Sequence, residues 1–227
     1  MPGDAPLLRP ATLAALVEAH RRQGSAATLL TARLHDPTGY GRVVRGADGA
    51  VRRIVEQLDA TPEEQAIDEV ATSVYCFRHS LLAPALRRIT PDNQRGEYYL
   101  TDVVDVLAGT GHPVASVVID DPAEAMGVND RAQLATAEAE LRRRINQAWM
   151  LQGVRMVDPD HTYVDAGVRL AADVTLHPGT VLGGTTEIGA GAEIGPGSHL
   201  VDCVVGAGAS VAHSSAPAPI SVVPPST

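Results

Sequence analysis

The sequence has 227 residues, a formal net charge of −9, two cysteines and 3% aromatic residues. Apolar residues make up 44% of the chain, enough for a packed core built mainly from small and branched aliphatic side chains. The negative charge argues against nucleic acid as a partner, because an acidic surface repels phosphate backbones. Cys76 and Cys203 lie far apart in apolar surroundings, so we expect neither a disulfide framework nor a metal cluster.

The sequence contains no pattern that indicates membrane insertion or export. No apolar run reaches the length of a membrane-spanning helix. Residues 1–10 do not show the basic and then apolar pattern of a signal peptide. We therefore expect a cytoplasmic protein without a membrane partner.

Strand and helix patterns alternate along residues 1–130. Strands are predicted from alternating or continuous apolar residues, and helices from apolar positions three and four apart. A turn at residues 46–49 joins two of the strands into a hairpin. Such interleaving predicts an α/β domain with a largely parallel sheet. The predicted helices cover 11–22, 80–88 and 100–109, the last capped at Thr101 or a neighbour, and the predicted strands cover 28–34, 43–44, 51–55, 70–77 and 114–119.

A single long helix is predicted next. Its apolar residues recur at spacings of three and four between residues 131 and 151. Arg142, Arg143 and Arg144 lie in its second half, where positive charge complements the helix dipole. We interpret 131–157 as a linking helix between two domains.

Residues 158–213 carry the strongest repeat. Aliphatic residues recur every six positions, and a small or β-branched residue lies two positions before each of the later six. Neither a helix nor a simple strand has a period of six, but a hexapeptide repeat does. Each hexad then forms one short strand and a turn, and three hexads form a triangular coil. The aliphatic positions are Val164, Leu170, Leu176, Leu182, Ile188, Ile194 and Leu200.

The repeat changes phase after Leu200, because Val205 and Val211 arrive one residue early. Seven hexads give little more than two coils, so the β-helix must be capped, packed on partners or only marginally stable. Residues 214–227 are rich in Ser and Pro, and we predict a disordered tail there.

The order of an α/β domain, a linking helix and a β-helix resembles the bacterial GlmU family. Its members are bifunctional N-acetylglucosamine-1-phosphate uridyltransferases and glucosamine-1-phosphate N-acetyltransferases. The resemblance implies a partial Rossmann-like nucleotidyltransferase domain, its sugar-binding part, over 1–130 and a short left-handed parallel β-helix over 158–213. It also implies UDP-N-acetylglucosamine biosynthesis by Mg²⁺-dependent transfer from UTP, and a homotrimer formed through the β-helix. The segments that carry it are 3–7, 36–42, 54–56, 59–61, 96–102 and 127–129.

The resemblance assigns two metal ligands and three substrate-binding residues. Asp4 and Asn129 match the positions that hold Mg²⁺, whose preferred ligands are hard oxygens. Without the resemblance, both are interpreted as turn or helix-capping residues. Gly41 and Glu56 match sugar-binding positions, Asn129 also contacts substrate, and no covalent catalytic residue is implied. Alone, Glu56 would be interpreted as an exposed edge-strand carboxylate.

Further residues complete or alter the implied sugar pocket. Tyr98, Tyr99 and Asp102 are expected to build the pocket or to support it. The family pattern has Asn and Gly where this chain has Ala71 and Ser73. Loss of a buried polar contact costs roughly 1–3 kcal/mol, so we expect weakened sugar binding.

The family's nucleotide-binding loop lies about a hundred residues before the position of Asp4, and its acetyltransferase sites lie on later coils. We therefore expect both activities to be impaired in this chain. The alternative is a non-catalytic fragment or a trimerising interaction subunit. A zinc enzyme is disfavoured because the separations of His161, His177, His199 and His213 do not suggest a shared metal site.

Overall fold

The computed structural model describes residues 3–212 and the backbone of 215–216 and 221–222. The chain forms two compact units, residues 1–130 and 131–227. Among the described residues, no helix combines the length and apolar character that crossing a membrane requires.

The first unit contains five strands and four α-helices, close to the elements predicted from the sequence. The helices begin and end near the expected positions, and a short helix and a 3₁₀ turn at Pro122–Ala125 are additional. The helices are α1 (Pro10–Gln23), α2 (Pro62–Gln65), α3 (His79–Leu86) and α4 (Asp102–Gly109). The strands are β1 (Ala27–Arg33), β2 (Arg42–Arg45), β3 (Val51–Val55), β4 (Glu69–Phe77) and β5 (Val114–Val118).

The sheet of the first unit is mixed, in the order β3-β2-β4-β1-β5. Only β1 and β5 run parallel, while the pairs β1–β4, β2–β3 and β2–β4 are antiparallel. The prediction of a largely parallel sheet is therefore wrong. The physical reason lies in the connections, since a tight hairpin joins β2 to β3 and a parallel pair needs a long crossover.

Apolar clusters lie against both faces of this sheet. One cluster joins α1 to β1 and β4 through Leu16, Leu30 and Val70. Another joins β2, β3 and β4 to α4 through Val43, Ile54 and Val104. The sheet is therefore held between packed layers, and the end of β3 and the middle of β4 lie beside the segment that leads into α4.

The second unit begins with α5 (Arg131–Leu151), followed by a solenoid of short strands. Ile145 and Trp149 of α5 pack against the solenoid core, while Leu134 and Leu141 are exposed. The solenoid strands are β6 (Arg155–Met156), β7 (Tyr163–Val164), β8 (Arg169–Leu170), β9 (Thr175–Leu176), β10 (Val181–Gly183), β11 (Glu187–Ile188), β12 (Glu193–Ile194), β13 (His199–Val201), β14 (Val204–Val205), β15 (Ser210–Val211), β16 (Ser215–Ala216) and β17 (Ser221–Val222).

The solenoid is a parallel β-helix, as the six-residue period predicts. Its strands form three four-stranded parallel sheets. Val164, Leu182 and Leu200 lie in register in one of them, and all seven predicted aliphatic positions are buried. Buried hydroxyls at the corners donate to backbone carbonyls three residues earlier, as Thr186 does to Gly183 at 2.7 Å. The hydroxyl groups of these small polar residues are therefore satisfied by backbone carbonyls within the solenoid.

The phase change after Leu200 does not end the solenoid. Val205 pairs with Ile188 and Val211 with Ile194, so one coil is simply a residue shorter. Asp202, in the shortened corner, adopts a positive φ of 51°.

The boundaries of the solenoid also differ from the prediction. It begins at β6, three residues before the predicted start at 158. The predicted disordered tail lies outside the described residues except for β16 and β17, which form strands.

Candidate functional site

A cavity of about 400 Å³ lies in the first unit beside the end of β3 and the middle of β4. Glu56 directly follows β3, and Ser73 and Tyr75 belong to β4. Residues 98–101, which lead into α4, complete the walls. An open cavity with aromatic walls and a few convergent polar groups is typical of a small-molecule site. Its lining residues are Glu56, Ser73, Tyr75, Tyr98, Tyr99, Leu100 and Thr101.

Glu56 is held by a specific hydrogen bond from the helix start. The hydroxyl of Thr101 donates to Glu56 Oε1 at 2.9 Å. Thr101 does occupy the N-cap position of α4, but its side chain makes no capping hydrogen bond. The prediction that the Thr101 side chain caps α4 is therefore wrong, because its hydroxyl donates to Glu56 instead. Oε1 then has one partner, and the carboxylate keeps capacity to accept from a ligand.

Gly41 lies against Glu56, as the two predicted substrate-binding positions require. A Cβ at Gly41 would come within 2.9 Å of Ile54 Cγ2 and 3.3 Å of Glu56 Oε2. The Gly41 carbonyl also accepts from the backbone N–H of Ala71 at 2.9 Å. Glycine therefore permits a backbone approach to the carboxylate that a larger residue would block.

A buried arginine organises the loop that leads to Gly41. Arg42 is 2% exposed and donates to the Tyr40 carbonyl and, at 2.8 Å, to Gln57 Oε1. Gln57 Oε1 also accepts from the backbone N–H of Gly39 at 3.1 Å. Burial lowers the pKa of Arg42, and the charge of Asp36 opposes this effect. The sequence did not indicate this network, because an arginine in a short exposed-looking strand is ordinarily a surface residue.

A bulge in β4 shapes the opposite wall of the cavity. The register of β1 and β4 passes from Leu29 opposite Tyr75 to Thr31 opposite Ala71, so three residues of β4 oppose one of β1. Ser73 lies in this bulge with φ at +58°, in the left-handed region that favours glycine. The bulge thus redirects the side chains that face the cavity.

The side chain at position 71 takes no part in the polar wall. Ala71 is buried in the apolar cluster with Leu29 and Ile54. Its backbone N–H serves Gly41, but its methyl group offers no hydrogen bond.

The rim of the cavity is built from an ordered loop. The Asn93 Oδ1 accepts from the backbone N–H groups of Arg95 and Glu97. The Gln94 backbone N–H donates to Asp59 Oδ1 at 2.9 Å, which joins this loop to the segment after Glu56. Tyr98 projects from the loop and is 68% exposed. An aromatic ring therefore stands at the rim, beside the opening.

The cavity is acidic and contains no cationic lining residue among those described. Burial raises the pKa of Asp102, and the charges of Asp105 and Glu56 raise it further. Burial raises the pKa of Tyr75 to about 12, an effect that Ser73 opposes and Glu56 reinforces. Such surroundings favour a neutral, hydroxyl-rich group over a phosphate inside the cavity.

Asp4 and Asn129, the predicted metal ligands, lie on neighbouring segments of the same unit. The backbone N–H of Val128 donates to the Asp4 carbonyl at 2.9 Å, and a Cβ at Gly127 would lie 4.0 Å from Asp4 Oδ2. Both Asp4 and Asn129 are exposed. One carboxylate and one amide oxygen fit Mg²⁺, which takes the rest of its shell from water and phosphate.

Elsewhere in residues 3–212, no group of three or more His, Cys, Asp or Glu side chains is placed to hold a metal ion. His161 contacts Asp158 at 2.8 Å and His177 contacts Glu193 at 2.7 Å. His213 lies outside the described residues. The structure therefore offers no support for the zinc alternative.

Comparison with known proteins identifies the class of the chain. The family model described as nucleotidyl transferase matches residues 2–150. The chain therefore belongs to the nucleotidyl transferase family.

Within that class, the chain is similar to curated proteins named "Bifunctional protein GlmU". It is 49% identical to the one from Trichlorobacter lovleyi over 89% of this chain and 44% of that protein. The corresponding values are 49%, 94% and 44% for Thermobifida fusca, and 51%, 86% and 41% for Geobacter metallireducens. The chain thus spans less than half the length of these relatives.

Proposed function

We propose that this chain binds the sugar of N-acetylglucosamine-1-phosphate for uridylyl transfer from UTP, in UDP-N-acetylglucosamine biosynthesis. The observation that carries the proposal is the placement of Glu56, fixed by Thr101 and approached by Gly41, in an aromatic-lined cavity. Similarity to bifunctional GlmU proteins supports the substrate assignment. The cytoplasmic location expected from the sequence is part of this proposal.

The residues of the cavity make different contacts with the sugar in this proposal. The Glu56 carboxylate accepts hydrogen bonds from sugar hydroxyls, because it is an acceptor only when ionised. Gly41 lets the sugar approach the backbone, and the tyrosines provide apolar surface for its faces. The acidic surroundings direct the phosphate away from the cavity and towards solvent.

We further propose that Asp4 and Asn129 hold Mg²⁺ through their side-chain oxygens. The bound metal would neutralise phosphate charge during transfer. Asn129 would also contact the substrate, as the family resemblance implies. A paramagnetic probe tests the site, since Mn²⁺ should broaden the amide signals of Asp4, Gly127 and Asn129. The Asp4→Asn variant should lose this broadening, and unchanged broadening would contradict the assignment.

The family pattern has Asn at the position of Ala71, and we propose that this difference affects sugar binding. Because Ala71 offers no side-chain hydrogen bond, we expect weaker sugar binding than with Asn at this position. The Ala71→Asn variant should bind the sugar phosphate more tightly, by up to about ten-fold. Equal or weaker binding would show that the site compensates in another way.

Isothermal titration calorimetry of the full chain with N-acetylglucosamine-1-phosphate tests the main proposal. We expect saturable binding that Glu56→Gln weakens at least ten-fold, since a charged hydrogen bond is worth about 1.5–3 kcal/mol. Glu63→Gln is the matched control, because Glu63 lies in the first turn of α2 and not in the cavity wall. Identical affinities for the two variants would argue against the proposal.

The solenoid favours a second role, association of this chain into a homotrimer. Val204 faces outward in β14 and is 53% exposed, so this strand presents an apolar side chain on its outer surface. Size-exclusion chromatography with light scattering tests this role, with three times the monomer mass of 23.7 kDa as the expected result. A monomer at high protein concentration would contradict it.

A further inference from the structure

The buried Tyr75 hydroxyl makes no hydrogen bond of acceptable geometry among the described residues, although burial raises its pKa less than it otherwise would because the Ser73 hydroxyl is nearby. Its ring stacks on Phe77 with centroids 5.5 Å apart, so the orientation of the ring is defined. An unpaired polar group in a protein interior is unfavourable, and such groups are usually satisfied. The arrangement therefore calls for a functional explanation.

The unpaired hydroxyl belongs to a side chain of the cavity wall that also contains Glu56. Ser73, two residues earlier, bears the positive φ of the β4 bulge in the same wall. Two features that are unfavourable in the free protein thus converge on one cavity. Backbone outliers of this kind cluster at ligand-binding sites, where the surrounding structure maintains them.

The donors and acceptors of the cavity are complementary. Glu56 can only accept hydrogen bonds, so it serves hydroxyl groups of a sugar. Some sugar oxygens cannot donate, namely the ring oxygen and the carbonyl of an acetamido group. A ligand with such an oxygen needs a donor from the protein. Tyr75 has one available, because a phenol is protonated at neutral pH, and burial raises the pKa of Tyr75 further, to about 12.

We propose that Tyr75 is a specificity-determining residue whose hydroxyl donates a hydrogen bond to an acceptor-only oxygen of the bound sugar. The inference rests on the proposed function and adds a residue that the sequence did not indicate. Because the hydroxyl is covered in the free protein, neighbouring side chains rotate when the sugar enters. The same hydrogen bond distinguishes an acetamido sugar from a plain one if the acetamido carbonyl is the acceptor.

Calorimetry of the Tyr75→Phe variant with N-acetylglucosamine-1-phosphate tests the inference, because phenylalanine keeps the ring and removes only the hydroxyl. We expect affinity about ten-fold weaker than that of the unchanged chain. The thermal midpoint of the free variant should be equal or higher, since an unpaired polar group is removed. A merely structural hydroxyl would instead lower the midpoint and leave affinity within two-fold, which would overturn the inference.

The Tyr163→Phe variant is the matched control, because it removes a phenol hydroxyl from β7, which contributes nothing to the cavity lining. We expect it to bind within about two-fold of the unchanged chain. The Ser73→Ala variant tests whether the two hydroxyls of the wall pair with each other. If Ser73→Ala and Tyr75→Phe lower the midpoint equally and affect binding equally, the two hydroxyls pair with each other and the inference fails. Glucose-1-phosphate provides the second arm, since a smaller loss with this sugar assigns the acetamido carbonyl as the acceptor and an equal loss assigns the ring oxygen.

The outcomes separate this inference from the proposed function. If the unchanged chain binds no sugar phosphate, both fail. If the unchanged chain binds the sugar phosphate, and Glu56→Gln weakens binding while Tyr75→Phe does not, only the inference fails.

Discussion

The solenoid and the first unit bury their polar groups in different ways. In the solenoid, a repeated pattern places the same hydroxyl at corner after corner, and Thr180, Thr186 and Ser198 each donate to a backbone carbonyl. In the first unit, burial is irregular. Arg42 and Tyr75 are each left with an unpaired polar atom, and Ser73 adopts a backbone conformation suited to glycine.

This difference shows where each unit keeps its function. A repeat that satisfies its own groups favours stability and a regular surface. In the first unit, the unpaired Tyr75 hydroxyl and the positive φ of Ser73 lie in the wall of one cavity, whereas the positive-φ residues Asp173 and Asp202 lie at turns between solenoid strands. Such features are expected where a ligand binds. Substitutions in both units test this contrast.

The largest effect is expected in the solenoid core. Leu182 is fully buried, in register between Val164 and Leu200. Leu182→Ala should cost about 3 kcal/mol of unfolding free energy, because it leaves a cavity that a packed coil cannot close. Urea denaturation followed by circular dichroism measures the loss. The control Val157→Ala, at a position that is 47% exposed, should change the value by under about 0.5 kcal/mol. Equal losses would mean that the coils are not packed as described.

A smaller loss is expected from a polar cluster of the first unit. Glu69 is 3% exposed and accepts from Arg45 Nε and Thr31 Oγ1, each at 2.9 Å. Glu69→Gln should cost about 2 kcal/mol, less than a fully buried ion pair because Arg45 is partly exposed. Chemical denaturation provides the measurement, with the exposed Glu63→Gln as control. An unchanged free energy of unfolding would contradict the structural role of this cluster.

A modest gain is expected at the bulge. Ser73→Gly should stabilise the free protein by up to about 1 kcal/mol, because glycine adopts a positive φ without the penalty of a Cβ. Ala115→Gly in β5 is the control and should destabilise, since that residue lacks a positive φ. Differential scanning calorimetry measures both. A loss at position 73 would show that the serine side chain supports the bulge.

The smallest effect concerns the dependence of stability on pH. Hydrogen bonds from Arg143 and Arg144 lower the pKa of Glu140 in α5 to about 2, against the effect of burial. The stabilisation is present above the ordinary value of 4.5 and is lost as the pH falls towards 2. Since Arg143 is half exposed, we expect less than about 1 kcal/mol. Thermal midpoints between pH 6 and 3 should fall less steeply in Glu140→Gln, and parallel curves would contradict this.

The repeat made most of the solenoid predictable from the sequence. Period and composition together identified the buried positions from Val164 to Leu200. The predicted solenoid extends to residue 213, past the phase change after Leu200. The sequence did not show how the coil accommodates that change, which is a one-residue deletion that leaves the stacked register unbroken. The parallel sheet predicted for the first unit was wrong, since strand patterns do not state direction.

The candidate site was predictable only in part. The resemblance indicated Gly41 and Glu56, and the structure places them together. It did not indicate the Arg42 network or the Tyr75 hydroxyl, because both depend on burial that arises from tertiary packing. The sequence predicts that Thr101 or a neighbour caps α4. In the structure the Thr101 hydroxyl donates to Glu56 and makes no capping hydrogen bond.

We propose that the cavity beside Glu56 binds the sugar end of a sugar phosphate and that the solenoid does not contact this ligand. Amide chemical-shift mapping of the full chain during titration with N-acetylglucosamine-1-phosphate tests it most directly. We predict shifts at Gly41, Ser73 and residues 98–101, with the signals of residues 155–211 unchanged. Shifts confined to the solenoid, or none near Glu56 at saturating ligand, would contradict the claim.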